Sequence, residues 1–513
     1  MKKSTSNLNK IVDSFQQTQA TRSKIYVQVS HCSLSVGSYP FYQELKQKLS
    51  PRMEVVVSGC DGACFAAPRS IINADDSCNE LYEYLKVSEK FAANSRSKDE
   101  LETFFESQNR VVMKNIGTME VDDINGYLLS GGFQGLNNAF QASSEEVVAM
   151  VEKSGLRGRG GAYFPVASKW SAARSSTGEN VLVINAEEGE PGVFKDRHLM
   201  EGAPFRVLEG ALIAAYAVSA TQVFVYVNAE ATLSYQRLKN AINICRGQNL
   251  LGEDILGTGI EIDVQLLKGA GGYVCGEEST LINTMEGTRR EPRLKPPFPT
   301  ESGYLGYPTV VNNVETICTL PYILKSGSEE FNKIGNLNYP GTKIISLSGN
   351  IKRAGAIEIT MGSSLDSVIN SIGGGPIDGS LSAVAVGGPS SGIISAERIN
   401  EVIISPGLID GHAVMVGAGG VIPLGKDTNV LHEIHRLSEY NASESCGKCT
   451  PCREGTPRIK EMIHNLSSIT DNDDQWDVLE ELARTVNAAS LCGLGQAAGN
   501  PALSFIKHFK GKR

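Results

Sequence analysis

Cys446, Cys449 and Cys452 stand at C-x2-C-x2-C spacing in ESCGKCTPCREGT, and Cys492 follows in SLCGLGQ after a gap of 39 residues. Three thiolates so spaced fold onto one concave turn and can grip three corners of an iron–sulfur cubane, with a remote fourth closing the site. A zinc site with four thiolates usually distributes them as two separate pairs, and a catalytic thiol or a disulfide needs only one or two. The spacing therefore points to a [4Fe–4S] cluster. Lys448 and Arg453 flank the ligands; either they tune the cluster by their charge or they are solvated surface.

A second group of residues could hold a phosphate. SGLRGRGGAYFPVASKW spans Ser154 to Trp170. Gly158, Gly160 and Gly161 leave backbone N–H groups unobstructed, and Arg157 and Arg159 add positive charge. Such a loop feeding a helix can cradle an anion. It is neither a dinucleotide G-x-G-x-x-G fingerprint nor a P-loop, and a structural glycine turn would account for it equally well. Two acidic turns shift the balance. NAEEGEPG carries Glu187, Glu188 and Glu190, and GAGGYVCGEES carries Glu277 and Glu278. Carboxylates beside glycines at strand ends are ordinary turn material, yet they can also accept from ribose hydroxyls or a flavin ring N–H. PRLKPPFPT adds a cation, Lys295, and an aromatic face, Phe298, on a proline-stiffened loop.

Cys32, Cys60 and Cys64 form a third group near the N-terminus, and Cys78, Cys245, Cys275 and Cys318 read as small buried hydrophobes. The first twenty residues are polar and make no secretory signal, so the eleven cysteines are expected to be reduced thiols in the cytoplasm. The net charge of -9 and the lack of a dense Lys/Arg block exclude nucleic acid as a partner. No apolar run reaches the roughly 18 residues of a membrane span. Membrane association would come only through partner subunits.

These groups must be positioned by several domains, because 513 residues exceed one core. Residues 24–90 read as a small βαβ unit with cysteine-bearing loops, a thioredoxin-like module. A polar stretch with some helix follows. From about Arg110 to Ser326, glycine-rich turns alternate with strand-like runs (NVLVINA, QVFVYV, EIDVQLL) and helical ones, an α/β pattern. Val207 to Val218 reads as a buried helix. Residues 340–400 turn to short strands, and the chain from Asn429 onward is helical.

Taken in order, SGLRGRGGA, NAEEGEPG with FKDR, GAGGYVCGEES, EPRLKPPFP, PTVVNNVET and ESCGKCTPCREGT resemble the family of flavin subunits found in respiratory complex I. Related subunits occur in NAD-linked formate dehydrogenases and bifurcating hydrogenases. The resemblance covers about Arg110 to Lys507. It implies a multidomain α/β protein with an FMN/NAD(P)H-binding, Rossmann-like domain (110–335), a β-grasp domain (336–425) and a helical [4Fe–4S] domain (426–513). Gly158, Arg159, Gly160, Gly161 and Lys169 would lie around the FMN phosphate. Asn185, Glu187, Glu188, Gly276, Glu277, Glu278, Asn312 and Asn313 would line the flavin, and Phe164, Glu190, Lys295 and Phe298 would hold NADH or NADPH. Hydride would pass to the flavin N5 and single electrons would leave through the cluster, so no catalytic acid or base is expected. Partners would be iron–sulfur subunits, among them a small thioredoxin-like [2Fe–2S] subunit, and a catalytic subunit such as a formate dehydrogenase, hydrogenase or other reductase.

The chain departs from the family pattern at several places. Tyr163 stands where glycine is usual, Val166-Ala167 replace Thr-Gly, Ala172 replaces a common aromatic, and Glu187 replaces Asp. The N-terminal module resembles a thioredoxin-like [2Fe–2S] domain with C-x4-C followed by C-x3-C, and Cys32, Cys60 and Cys64 match three positions. The first falls on Val27, which cannot ligate iron, so a vestigial docking domain is expected ahead of an intact cluster. A second reading keeps FMN and the [4Fe–4S] cluster in an electron-relay subunit whose Tyr163 blocks NAD(P)H.

Overall fold

A computed structural model describes residues 7–13, 23–49, 53–73, 98–336, 338–466 and 473–510. The alternation in KIYVQ and the β-branched run in MEVVVS produce parallel strands β1 (Ser23–Gln28) and β2 (Met53–Ser58). Helix α1 (Ser38–Lys48) connects them and buries Phe41 and Leu45 against Ile25, Val27 and Val55. Strand β3 (Ser70–Asn73) pairs antiparallel with β1, giving the order β2-β1-β3. The helix expected over CNELYEYLKV, and Cys78 with it, lies outside the described residues.

Helix α2 (Ser144–Lys153) opens on a capping box between Ser143 and Glu146, and α3 (Val166–Arg174) follows the glycine-rich loop. The apolar runs read from sequence become β4 (Asn180–Ala186), β5 (Ala220–Val227) and β6 (Asp263–Lys268). Between β4 and β5 come α4 (Lys195–Gly202) and α5 (Pro204–Val218); α6 (Thr232–Gly247) crosses from β5 to β6. Beyond β6 lie α7 (Glu278–Met285), β7 (Thr309–Asn313) and α8 (Val314–Ser326). All four strands are parallel, in the order β6-β5-β4-β7. Such a sheet is covered on both faces, which explains its nearly unbroken apolar strands. It also delivers NAEEGEPG, GAGGYVCGEES and the Asn312-Asn313 pair to the same carboxyl edge, where open α/β sheets bind ligands.

Five further strands form a mixed sheet: β8 (Thr342–Leu347), β9 (Gly355–Thr360), β10 (Leu381–Val386), β11 (Gly392–Ser395) and β12 (Gly420–Gly425). Their order is β9-β8-β12-β10-β11, and only β8 and β12 run parallel. The chain ends in α9 (Val430–Ser443), α10 (Thr450–Leu466), α11 (Asp473–Ala489), α12 (Gly493–Ala497) and α13 (Asn500–Phe509). Trp476 stacks on Phe505 at 5.4 Å in their core. Among the described residues no helix is long and apolar enough to cross a membrane.

A buried ion group locks the mixed sheet to the parallel one. Glu315 of α8 accepts from Lys343 Nζ of β8 at 2.6 Å and from the Ile344 N–H at 2.8 Å, and Lys195 Nζ of α4 lies 3.2 Å away. Burial opposes the charge on Glu315, but the two ammonium groups overcome it and hold the carboxyl below its usual range. Burial pushes Lys343 down to about 8.

Candidate flavin and cluster sites

The carboxyl edge of the parallel sheet gathers the residues singled out from sequence. Asn185, at the end of β4, donates to the Gly276 carbonyl at 2.9 Å and accepts from the Glu187 N–H. Asn312 accepts from Trp170 Nε1 at 2.9 Å, and Asn313 caps α8 through the Glu315 N–H. Lys169, one turn into α3, donates to the Val311 carbonyl at 3.2 Å and to Glu278 at 2.9 Å. Lys295 bridges Glu277 and Glu278 at 2.9 and 3.1 Å. The second oxygen of Glu277 caps α7 through the Ser279 and Thr280 N–H groups. Burial works against Glu278, but Lys169 and Lys295 hold it below its ordinary range.

The glycine loop lies against this edge. A Cβ on Gly160 would stand 3.1 Å from that of Asn313, so any side chain there would press on the asparagine pair. One on Gly158 would meet nothing nearer than 3.6 Å, which leaves its backbone approachable. Arg159 differs from the expectation of a cation facing phosphate. It is 2 % exposed, its guanidinium donates to the Pro340 carbonyl and its N–H to Thr316 Oγ1. Its role is to pin the loop to the domain junction. Gly161 adopts φ +128°, a backbone region that side chains rarely enter.

A cavity of about 430 Å³ is lined among others by Glu188, Glu190, Asn228, Tyr273 and Tyr440, and Glu187 lies beside it on Asn228. Glu188 accepts from the Asp196 and Arg197 N–H groups at the start of α4, at 2.8 and 3.1 Å. Glu190 accepts from Ser390 Oγ at 2.8 Å. Glu187 accepts from Asn228 at 2.7 Å, while its other oxygen is buried without a partner. Burial pushes all three up to about 7. An orphaned buried oxygen beside a glycine-lined edge suits a polar ligand whose N–H or hydroxyl would complete it.

Phe164 and Phe298 are the exposed aromatics here, and Lys169 Nζ lies 6.0 Å from the Phe164 ring centre. Tyr163 behaves differently. It holds φ +52°, is 5 % exposed and leaves its hydroxyl buried without a partner. Its ring is thus buried, unlike the exposed Phe164 that follows it.

The C-terminal cysteines converge as their spacing requires. Cys452 lies in the first turn of α10, Cys492 caps α12, and Cys446 and Cys449 occupy the loop between α9 and α10. Val274 and Leu494 pack with the four side chains, and Tyr273 joins them. The Leu491 N–H donates to Cys449 Sγ at 3.5 Å, and Ser445 Oγ lies 3.2 Å from Cys452 Sγ. Four thiols in an apolar nest with such donors fit a [4Fe–4S] cubane. Tyr273 was not singled out from sequence, although its motif was visible. The turn Tyr273–Gly276 touches the cysteine nest through Tyr273 and Val274, and Asn185 of the flavin edge through Gly276.

Residues 151–322 match the model of the Nuo51 FMN-binding domain, and residues 432–512 match the NADH-ubiquinone oxidoreductase-F iron-sulfur binding region. The NADH-quinone oxidoreductase F protein of Aquifex aeolicus is 36% identical over 77% of this chain and 92% of its own length. The chain belongs to the NADH-quinone oxidoreductase F family. HndC, from the NADP-reducing hydrogenase of Solidesulfovibrio fructosivorans, is 41% identical over 78% of this chain and 82% of its own. A crystal structure of NAD+-reducing [NiFe]-hydrogenase in the H2-reduced state aligns with a TM-score of 0.69 at 27% identity, covering 99% of this chain and 86% of that one. The family membership makes this chain an FMN- and [4Fe–4S]-binding, NAD(P)H-linked electron-transfer subunit. Its relatives are subunits of larger complexes.

Proposed function

We propose that this chain is the pyridine-nucleotide module of a multi-subunit oxidoreductase, with each site residue in a specific role. Lys169 and the N–H groups of Gly158, Gly160 and Gly161 hold the FMN phosphate, and Arg159 fixes their loop from behind. Asn185, Glu187, Glu188, Gly276, Glu277, Glu278, Asn312 and Asn313 surround the flavin. Glu187 offers its unpartnered oxygen to the ligand. Phe164, Glu190, Lys295 and Phe298 take the nicotinamide nucleotide. FMN, when bound, links a two-electron donor to one-electron carriers. The protein orients, stacks and screens charge. Near pH 7 the three raised carboxyls are partly protonated, which lessens their repulsion of an anionic dinucleotide.

The observation that carries this reading is the Tyr273–Gly276 turn, which belongs to both sites at once. The second reading, a relay protein without NAD(P)H, would need the buried Tyr163 ring to close the nicotinamide's place. We read the five-stranded sheet as the β-grasp domain and the compartment as the cytoplasm, in keeping with free cysteines. The partners are a small thioredoxin-like [2Fe–2S] subunit and a catalytic subunit, and the similarity to HndC favours a hydrogenase as the latter. The test is an anaerobic spectrum of the purified protein before and after NADH or NADPH. Bleaching of the flavin band by either supports the proposal. A yellow-brown protein inert to both overturns it.

A further inference from the structure

The N-terminal module does not fit the two-iron cluster its cysteine pattern suggests. Val27, at the missing ligand position, is a fully buried core residue within β1, paired with Val57 and Ser70. Yet the three remaining thiols are not scattered. Cys60 and Cys64 lie together, and Cys32 sits at the edge of their group, outside the 4.8 Å that joins the other ligand atoms. The fourth member comes from a distant part of the chain. His198 of α4 places Nε2 3.7 Å from Cys64 Sγ, and the Cys60, Cys64 and His198 ligand atoms all lie within 4.8 Å of one another.

We propose that Cys60, Cys64 and His198 form three corners of a tetrahedral site for a single divalent ion of the zinc class, which Cys32 closes as the fourth ligand when the ion binds. Four observations carry this. Tetrahedral zinc, with bonds of about 2.3 Å to sulfur and about 2.0 Å to nitrogen, holds its ligand atoms about 3.5–3.8 Å apart, the spacing seen for His198 and Cys64. A two-iron cluster instead takes two protein ligands on each iron, with bridging sulfides between the pairs, so three ligand atoms around one point do not suit it. The imidazole is also preset, because its Nδ1 lies 3.1 Å from the Phe194 carbonyl, which aims Nε2 at the thiols. Lastly, the Gly62 N–H donates to Cys60 Sγ at 3.4 Å, which orients that sulfur.

The surroundings hold this geometry firmly. Gly59 packs so tightly on Gly202, at the end of α4, that a Cβ on Gly59 would stand 2.2 Å from the Gly202 Cα. Arg237 donates to the Val29 carbonyl at 2.7 Å, and Glu201 accepts from the His31 N–H at 2.8 Å. On the far side, the Ala356 N–H donates to the Gly62 carbonyl and the Phe65 N–H to the Ala354 carbonyl, both at 3.0 Å. Cys32 opens onto the 430 Å³ cavity, giving the ion an entry path. The ion would staple the module to the helix whose N-terminus Glu188 caps.

The experiment is elemental analysis of the anaerobically purified full chain, wild type beside Cys60→Ser and His198→Ala. The expected wild-type result is about one zinc beyond the four irons of the cubane, retained through dialysis against a weak chelator. Both substitutions should lower zinc at least fivefold and leave iron unchanged. Two irons beyond those of the cubane, zinc lost on dialysis, or zinc unaffected by His198→Ala would each overturn the assignment. Should the variants fail to fold, zinc X-ray absorption on the wild type decides: three sulfurs and one nitrogen uphold the site, and any other set of ligands refutes it.

Discussion

The two cysteine groups use the same chemistry but assemble it in opposite ways. At the C-terminal end, three ligands arrive on one turn and the fourth caps a short helix of the same bundle. At the N-terminal end, the thiols belong to one module and the imidazole to another, 134 residues further on. Contiguous ligands make a site that one domain can hold alone and that spacing reveals. Split ligands make a site that exists only while two domains stay docked. The difference teaches that a missing cysteine in a motif does not by itself abolish a metal site, because tertiary structure can supply a ligand from elsewhere.

The largest expected effect breaks the C-terminal half of the comparison. Cys449→Ala should remove the cubane, with iron content falling by about four per chain while FMN is retained; iron and flavin assays check this together. Gly59→Ala should instead break the docking of the N-terminal module. Its Cβ would collide with the Gly202 backbone, so stability should drop by about 1–3 kcal/mol in chemical denaturation, with zinc lost and cubane iron intact.

Between the two metal sites, Glu187 should report on burial through pH. Its folded pKa, raised to about 7 from an ordinary 4.5, means that the folded state binds its proton more tightly. Its contribution to stability is therefore fully present below pH 4.5 and lost as pH rises through 7. Glu187→Gln should accordingly stabilise the flavin-free protein by about 1–2 kcal/mol at pH 8, and the gain should vanish near pH 4. Denaturation midpoints across that range measure it. The smallest effect belongs to Tyr163→Phe. Removing a buried hydroxyl without a partner should raise stability by at most about 1 kcal/mol and leave the KM for NADH unchanged.

Much of the frame was legible in the residues alone. The runs NVLVINA and QVFVYV became β4 and β5 because parallel strands buried on both faces need continuous apolar residues. C-x2-C-x2-C was legible because its geometry is local. The rest depended on contacts that sequence distance hides. Nothing near His198 marks it as a neighbour of Cys64, and nothing in GRGGA shows that Arg159 turns back to Pro340. The burial of Tyr163 goes with a left-handed backbone that a tyrosine seldom adopts, and no pattern announces it. The ion group of Glu315, Lys195 and Lys343 likewise joins three elements whose charges would each pass for surface.

Coupling of the flavin edge to the four-cysteine nest rests on the Tyr273–Gly276 turn, which touches both. Freeze-quench electron paramagnetic resonance after mixing the anaerobic protein with NADH tests this most directly. A reduced [4Fe–4S] signal should rise together with flavin bleaching in the wild type and be missing in Cys449→Ala. Flavin that bleaches while the wild-type cluster stays oxidised would contradict the coupling.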